Sequence, residues 1–405
     1  MLSIAMTILL LAVPGAVDKM PSSEVAPIFE LVCGKGNVFT KHDKSFATNP
    51  LQTDFGCKKC PSFTGFADSD GQAAPSEPMS GVFTGPGRTE VLVDLSSCEP
   101  HANSYGGTVL LRKEQGKWRR ISYSPGLRTN ACQTLRRTDG TDLLVCEGGD
   151  VAQGYIFGVV TARSFTQRGT LANEDTRLAS SMDTLGACPS DGTAVAMEIR
   201  SVQARDTNND GKKDVVIDLS AAFAHVKKKG DDPCLNEEER KKYLKPKNYQ
   251  LVYLFDGNSL TASPETRKVL KEMNAERSDI LGEPIDEQAA RGFIEYWLKR
   301  SQDNTKLDEV MNSYSDAVDF YKFGLVEKNI IRQDKQKYYS RWPKRKYELK
   351  SFALAPGDRQ HEAKVVITFA YEISNEKKTL QGEAKAVLVL QSNDEETRIV
   401  TEKEQ

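Results

Sequence analysis

The chain has 405 residues, too many for one ordinary hydrophobic core, so two or three domains are expected. Its net charge of −2 and isoelectric point near 6.2 exclude a global electrostatic pull toward nucleic acid. The 39% hydrophobic and 28% charged shares are ordinary for a soluble protein.

Residues Ile4 to Val13 form an apolar run, followed by the small residues Gly15 and Ala16. That is the pattern of a secretory signal peptide over residues 1–16. The run is too short, and too interrupted by Pro14, for a membrane span, and no later segment approaches one. The eight cysteines are Cys33, Cys57, Cys60, Cys98, Cys132, Cys146, Cys188 and Cys234, with none beyond. An even set confined to one region reads as a disulfide framework formed in an oxidising compartment, secreted or periplasmic. Spacing leaves the pairing open. "CKKC" at Cys57–Cys60 has redox-motif spacing, but no βαβ pattern surrounds it, so both cysteines read as structural.

Residues 17–80 are rich in Gly, Pro, Ser and Asp and read as an irregular, disulfide-held segment. From 81 to 262, short apolar runs alternate with turn signals, the pattern of an all-β region. "TEVLVDL", "GTVLLRK", "KWRRISY", "TDLLVCE", "YIFGVVTA", "VAMEIRSV", "DVVIDLS" and "YQLVYLF" are its candidate strands. "GRTEVLVDL", "DGTDLLVCE" and "DGKKDVVIDL" each place a glycine turn and an acidic residue before an apolar strand. This self-similarity points to a propeller-like arrangement of strand–turn–strand units.

The third unit carries the densest chemistry. In "RDTNNDGKKDVVIDL", Asp206, Asn208 and Asp210 are spaced to turn three side-chain oxygens inward. Gly211 permits the sharp turn, the Lys212 carbonyl adds an oxygen, and Asp214 opens the strand. Calcium takes six to eight such hard oxygen ligands. An EF-hand needs a glutamate at the twelfth position, where this chain has Ile217. The order D-x-N-x-D-G-x-x-D before a strand resembles the loops of integrin-type FG-GAP repeats. That resemblance implies a structural calcium held by Asp206, Asn208, Asp210, Lys212 and Asp214. The alternative is an acidic β-turn without metal, since Asp, Asn and Gly are also plain turn formers.

Residues 263–284 are polar and read as a helical linker. From 285 to 405 the pattern changes. Ala290, Phe293, Ile294, Trp297 and Leu298 fall on one helix face, and Leu307, Val310, Met311 and Tyr314 repeat the spacing. "DAVDFY" is a short strand, and a third helix from about Glu327 stops before Pro343, with Ile331, Tyr338 and Trp342 on one side. "KYELKSFAL", "EAKVVITFAYEIS", "LQGEAKAVLVLQS" and "TRIVTEKE" read as strands. This order, with "FIEYWLKRSQDNTKLDEVMNSYSDAVDFY" and "RWPKRKY", resembles the nuclear-transport-factor-2-like (SnoaL-like) family. The resemblance implies an α+β cone with a pocket, and a homodimer through its sheet. The fold class expected is thus multidomain: an all-β, propeller-like, disulfide-braced region followed by an α+β cone.

No catalytic residue is assigned. Asp316 and Asp319 flank the short strand and remain candidates for a general base. His361 reads as part of a surface turn between strands, and Tyr314, Tyr338 and Trp342 read as core. Lys335, Lys337, Arg341, Lys344, Arg345, Lys346 and Lys350 form a basic run that reads as a solvated face, not a nucleic-acid site. The functional expectation is an exported binding or interaction protein for an unidentified protein or small-molecule ligand. The alternative is a hydrolase or isomerase using the cone pocket.

Overall fold

A computed structural model describes residues 22–40, 55–65, 74–75, 78–96, 98, 106–129, 131–172, 176–188, 192–226, 234–393 and 396–404. The expected signal segment 1–16 lies outside them. The chain divides into two compact units, Met1–Gly148 with Ala162–Asp175, and Gly149–Thr161 with Thr176–Gln405. The division therefore falls inside the region read as one β domain over 81–262.

In the first unit, part of the segment expected to be irregular is the helix Ser22–Cys33. Its Ile28, Phe29, Val32 and Cys33 are buried at a spacing that covers one helix face. They pack with Val91, Val93, Leu95, Val109 and Leu111 of a sheet. In that sheet the strands Glu90–Ser96, Gly107–Glu114 and Lys117–Pro125 pair antiparallel in chain order. Cys33–Cys57 and Cys60–Cys98 brace this core, so the two cysteines of "CKKC" belong to different disulfides, each structural. Cys132–Cys146 joins directly opposed residues of the hairpin Cys132–Arg136 and Asp142–Ala152.

In the second unit, the strands Thr176–Asp183, Thr193–Arg205, Asp214–His225, Lys247–Phe255 and Leu260–Ala262 also follow chain order. Among the described residues the β region is built of sequential antiparallel meanders, with no propeller of repeated blades. The physical reason is pairing: each strand finds its partner in the next, so no unit closes on itself. Cys188–Cys234 is the fourth disulfide, and no cysteine is free.

The stretch read as a linker is the helix Pro264–Leu281, started by Ser263, whose hydroxyl accepts the Thr266 N–H at 3.1 Å, with Pro264 in the first turn. It buries Leu270, Met273, Ala275 and Leu281. It packs on the strands Asp214–His225 and Lys247–Phe255 and also on Tyr314–Phe320 and Gly324–Glu327. It is a shared core element rather than a spacer.

The C-terminal part matches its periodicity. Asp286 caps the helix Glu287–Arg300, whose Ala290, Ile294, Trp297 and Leu298 are buried. The helix Lys328–Arg341 ends ahead of Pro343. The six-stranded sheet runs Gly324–Glu327, Tyr314–Phe320, Thr397–Glu404, Thr379–Ser392, Glu362–Ser374, Lys344–Pro356. Tyr314–Phe320 and Thr397–Glu404 pair parallel, and the other pairs are antiparallel. Helices and sheet enclose one core that includes Ile294, Trp297, Tyr314, Phe320, Ile331, Ile367 and Ile399.

Two expectations about aromatic and histidine side chains change. Tyr338 is exposed, and its neighbour Tyr339 is buried in its place, one step around the helix. His361 ends the turn between the strands Lys344–Pro356 and Glu362–Ser374, as expected, but its side chain is not on the surface: it is 2% exposed, with Nδ1 3.4 Å from Asp279. Burial holds its pKa below the ordinary histidine value, against the opposing pull of Asp279 and Glu362. The imidazole is therefore neutral in the fold and titrates more easily when unfolded. Its contribution to stability is present above the unfolded value, about 6.5, and is lost as pH falls toward the folded value. Urea midpoints measured between pH 7.5 and 5 are expected to fall more in the parent protein than in His361→Leu; equal slopes would show that His361 carries no linkage.

Candidate functional site

The acidic residue of each repeated unit has one role in common. Glu90 Oε2 accepts the Phe83 and Thr84 N–H groups at 2.8 and 2.9 Å, and its Oε1 meets Arg112 Nε at 2.9 Å. Asp142 Oδ2 accepts the Val82 N–H at 2.7 Å, while its Oδ1 meets Arg136 Nε at 2.6 Å. Asp214 Oδ1 accepts the Phe255 N–H at 2.9 Å, and Oδ2 accepts both the N–H and the hydroxyl of Thr207. All three are buried. A buried carboxylate needs such donors, and each here fastens a loop or neighbouring strand by its main chain.

The loop expected to hold calcium is a tight turn. Asp206 accepts the N–H groups of Asn209 and Gly211 at 2.7 and 2.9 Å. Asn208 accepts that of Asp210, and Asp210 that of Lys212. Asn209 and Gly211 take left-handed backbone conformations, which glycine adopts freely and asparagine tolerates. Asp206, Asn208 and Asp210 are exposed, whereas Asp214 is fully buried and engaged with Thr207 and Phe255. Among the described residues, no group of three or more His, Cys, Asp and Glu side chains is placed to hold a metal ion. The fit to calcium is thus incomplete: three oxygen-bearing side chains and the Lys212 carbonyl share the turn, and the fifth residue is engaged elsewhere.

The C-terminal helix–sheet core holds a polar cluster that the sequence did not reveal. Glu402, 1% exposed, accepts the phenol hydroxyls of Tyr314 and Tyr321, each at 2.5 Å. Lys335 Nζ lies 3.7 Å from the same carboxylate. It also lies 5.3 to 5.7 Å from the ring centres of Tyr314, Trp297 and Phe320. Burial, and then the charge of Glu402, push both phenols well above the ordinary tyrosine pKa. These aromatic surroundings correct the expectation that Lys335 belongs to a solvated basic face.

A bulge hid Glu402. From Ile399, strict alternation would send Thr401 and Lys403 inward. The register instead slips by one, with Leu390 opposite Ile399 and Val389 opposite Thr401, so Glu402 points into the core.

The candidate bases are ion-paired. Burial pushes the Asp316 carboxyl up, but Lys328, Arg398 and Arg177 outweigh it and hold the group below the usual range. Asp319 meets Lys403 Nζ at 2.5 Å. Both carboxylates are committed to a lysine, and Asp316 is held below the usual range rather than raised toward the working pH of a general base.

Arg345, expected on the same solvated face, is buried. Its Nε donates to the Ser301 carbonyl at 3.0 Å, and Nη1 donates to the Trp342 carbonyl at 2.6 Å and to Asn304 Oδ1 at 2.7 Å. Its guanidinium lies 3.7 Å from the centre of the Tyr339 ring. Ser301 and Trp342 are the C-caps of two helices.

No family model matches the chain, and no curated protein matches it. Among solved structures, it is similar to Aln2 from a Streptomyces species, at 8% identity and a TM-score of 0.27, over 30% of this chain and 93% of that one. It is similar to ActVI-ORFA from Streptomyces coelicolor at 10% identity and 0.25, over 28% and 92%. It is also similar to the beta subunit of benzoate 1,2-dioxygenase from Burkholderia mallei at 8% and 0.25, over 30% and 91%. Likeness at these scores carries no argument, and the description of this part rests on its own strand order and core.

Proposed function

We propose that this chain is an exported, non-enzymatic binding protein whose C-terminal cone is the ligand-binding element and whose disulfide-braced sheets are its scaffold. The observation that carries the reading is the state of the cone's polar groups. Glu402, Tyr314, Tyr321 and Lys335 are engaged with one another inside aromatic walls, and Asp316 and Asp319 are engaged with lysines. Both carboxylates that could have served as a base are thus already committed to a cation. Four disulfides support passage through an oxidising compartment. No helix among the described residues is long and apolar enough to cross a membrane. The test is a thermal-shift screen of small molecules, each hit being re-extracted and analysed. Hits recovered chemically unchanged support binding; a hit recovered as a rearranged or hydrolysed product overturns it in favour of an isomerase or hydrolase.

Calcium belongs to the same proposal as a structural ion of the turn, held by Asp206, Asn208, Asp210 and the Lys212 carbonyl, with Asp214 behind them. Two exposed carboxylates, Asp206 and Asp210, and the neutral amide oxygen of Asn208 on one short turn support it, with Lys212 Nζ 3.7 Å from Asp210 as a nearby cation. Extracellular calcium modules bind in the range of about 0.1 to 1 mM. Titrating chelator-stripped protein with calcium to about 10 mM is expected to raise its melting temperature. An unchanged temperature, with no calcium retained in native mass spectrometry, would leave the turn metal-free.

A further inference from the structure

The four disulfides differ in how their sulfurs are kept from solvent. Cys33, Cys57, Cys60, Cys98 and Cys146 are buried, so three of the bridges have at least one buried cysteine. In Cys188–Cys234 both cysteines are half-buried. Cys188 also has a left-handed backbone, with φ of 52°, which a non-glycine residue holds only where its surroundings impose it. Arg240 stands at the same place. Its Nη2 donates to the Leu185 carbonyl at 3.3 Å and its Nε to the Leu235 carbonyl at 3.0 Å, so one guanidinium ties the two segments that the bridge joins. Cys188 Sγ lies 3.6 Å from that same Leu185 oxygen. A cation fixed beside the bridge stabilises a departing thiolate.

What the bridge fastens is a light cover. Cys234 opens the segment that carries the helix Glu237–Tyr243. None of the helix's described side chains is buried. The segment is anchored by Leu235 and Leu244, on either side of the helix, in a cluster with Ala194, Ala222, Ala224 and Val226. An alanine floor offers little apolar area, so packing alone holds the cover weakly. The turn that carries Cys188 is secured without the bridge. Its Ala187 N–H bonds the Thr184 carbonyl at 3.1 Å, the Thr184 N–H bonds the Val195 carbonyl at 2.9 Å, and the Thr184 hydroxyl accepts the Val195 N–H at 3.0 Å. One side of the bridge is thus fixed to the sheet, and the other is able to lift.

We propose that Cys188–Cys234 is a thiol–disulfide exchange site, and that its reduction by a dithiol lifts residues 234–244 from the sheet while the sheet stays folded. A thiolate of the reductant attacks Sγ of one cysteine, the S–S bond breaks, and a mixed disulfide forms as the other sulfur leaves as a thiolate. The reductant's second thiolate attacks the mixed disulfide, closes its own S–S bond and releases the second protein thiolate. The bridge takes up two electrons and, on protonation, two protons, and the dithiol is oxidised to its disulfide. With the bridge open, Arg240 is the strap that brings Cys234 back toward Cys188, so the exchange runs in both directions.

The test uses the full disulfide-bonded chain, dithiothreitol without denaturant, and N-ethylmaleimide to label released thiols for peptide mass mapping. Cys188 and Cys234 are expected to be labelled at least about ten-fold faster than any other pair, since exchange follows access to the sulfur. Amide hydrogen exchange is then expected to speed up over residues 235–244 and to stay unchanged in the strands Asp214–His225 and Lys247–Phe255. The double variant Cys188→Ser, Cys234→Ser is expected to show the same exchange pattern without reductant. If that variant fails to fold, the graded reduction of the parent decides alone. Another bridge opening as fast, or exchange over 235–244 unmoved by reduction, overturns the proposal. Loss of protection in the two strands together with the cover also overturns it, because the bridge then serves the whole sheet.

Discussion

Arg345→Met is expected to destabilise the second unit by about 3 kcal/mol, one of the two largest single-residue effects in the molecule. The guanidinium is buried and pairs with no carboxylate among the described residues. Its charge is met instead by carbonyls at the C-terminal ends of two helices, Glu287–Arg300 and Lys328–Arg341. Those ends carry the negative pole of each helix and carbonyls lacking intrahelical donors. One planar fork serves both, and the Tyr339 ring covers its face. Methionine fills the volume but leaves the Ser301 and Trp342 carbonyls and the Asn304 amide oxygen without this donor. Arg345→Lys keeps the charge, but a single ammonium cannot span both helix ends, so it is expected to cost about 2 kcal/mol. Urea unfolding followed by tryptophan fluorescence reports the effect, since Trp297 and Trp342 are both buried in this part of the chain. A loss below about 0.5 kcal/mol in both variants would show that the buried arginine is replaceable.

How much of this is legible in the sequence follows the period of each element. The C-terminal helices repeat apolar residues every three or four positions, and so Ala290, Ile294, Trp297 and Leu298 are buried where that spacing puts them. Alternation likewise places Val365 and Ile367. Features that periodicity does not encode stay hidden. The bulge after Ile399 reverses the phase and conceals Glu402. Arg345 lies in a basic run that reads as solvated, because no pattern announces that two helix ends converge on it. The helix Ser22–Cys33 is obscured by its cysteine- and glycine-rich neighbourhood, although Ile28, Phe29 and Val32 carry its apolar face. The repeated acidic residues are visible, but sequence spacing does not separate a carboxylate facing an ion from one facing main-chain N–H groups. For Glu90 and Asp142 the structure makes the distinction: each binds N–H groups and an arginine.

Asp214 is the position where these two roles meet, and it sets the second large effect. Asp214→Ala is expected to cost the second unit about 3–4 kcal/mol, with or without calcium. Its side chain is 0% exposed and holds the Phe255 N–H at 2.9 Å and the Thr207 N–H at 3.0 Å, together with the Thr207 hydroxyl. The first bond ties the strand Asp214–His225 to Lys247–Phe255, and the others close the turn that enters it. Alanine leaves these donors without their acceptor, and the buried N–H of Phe255 has no water to take its place. Asp206→Asn and Asp210→Asn act on the exposed side of the same turn. Asp210→Asn keeps the oxygen that accepts the Lys212 N–H, and Asp206→Asn keeps one of the two that accept the Asn209 and Gly211 N–H groups, so chelator-treated Asp210→Asn is expected to melt with the parent and Asp206→Asn only slightly below it. In calcium, the same two variants are expected to lose the stabilisation the ion supplies, while Asp214→Ala shows its full loss in both conditions. Melting curves of the three variants, each with chelator and with calcium, separate the roles. If Asp214→Ala melts with the parent once calcium is removed, its carboxylate serves only the ion, and the parallel with Glu90 and Asp142 fails. If all three variants lose equally in chelator, the turn is held by its own hydrogen bonds, and the spacing of its oxygens is the signature of a turn alone.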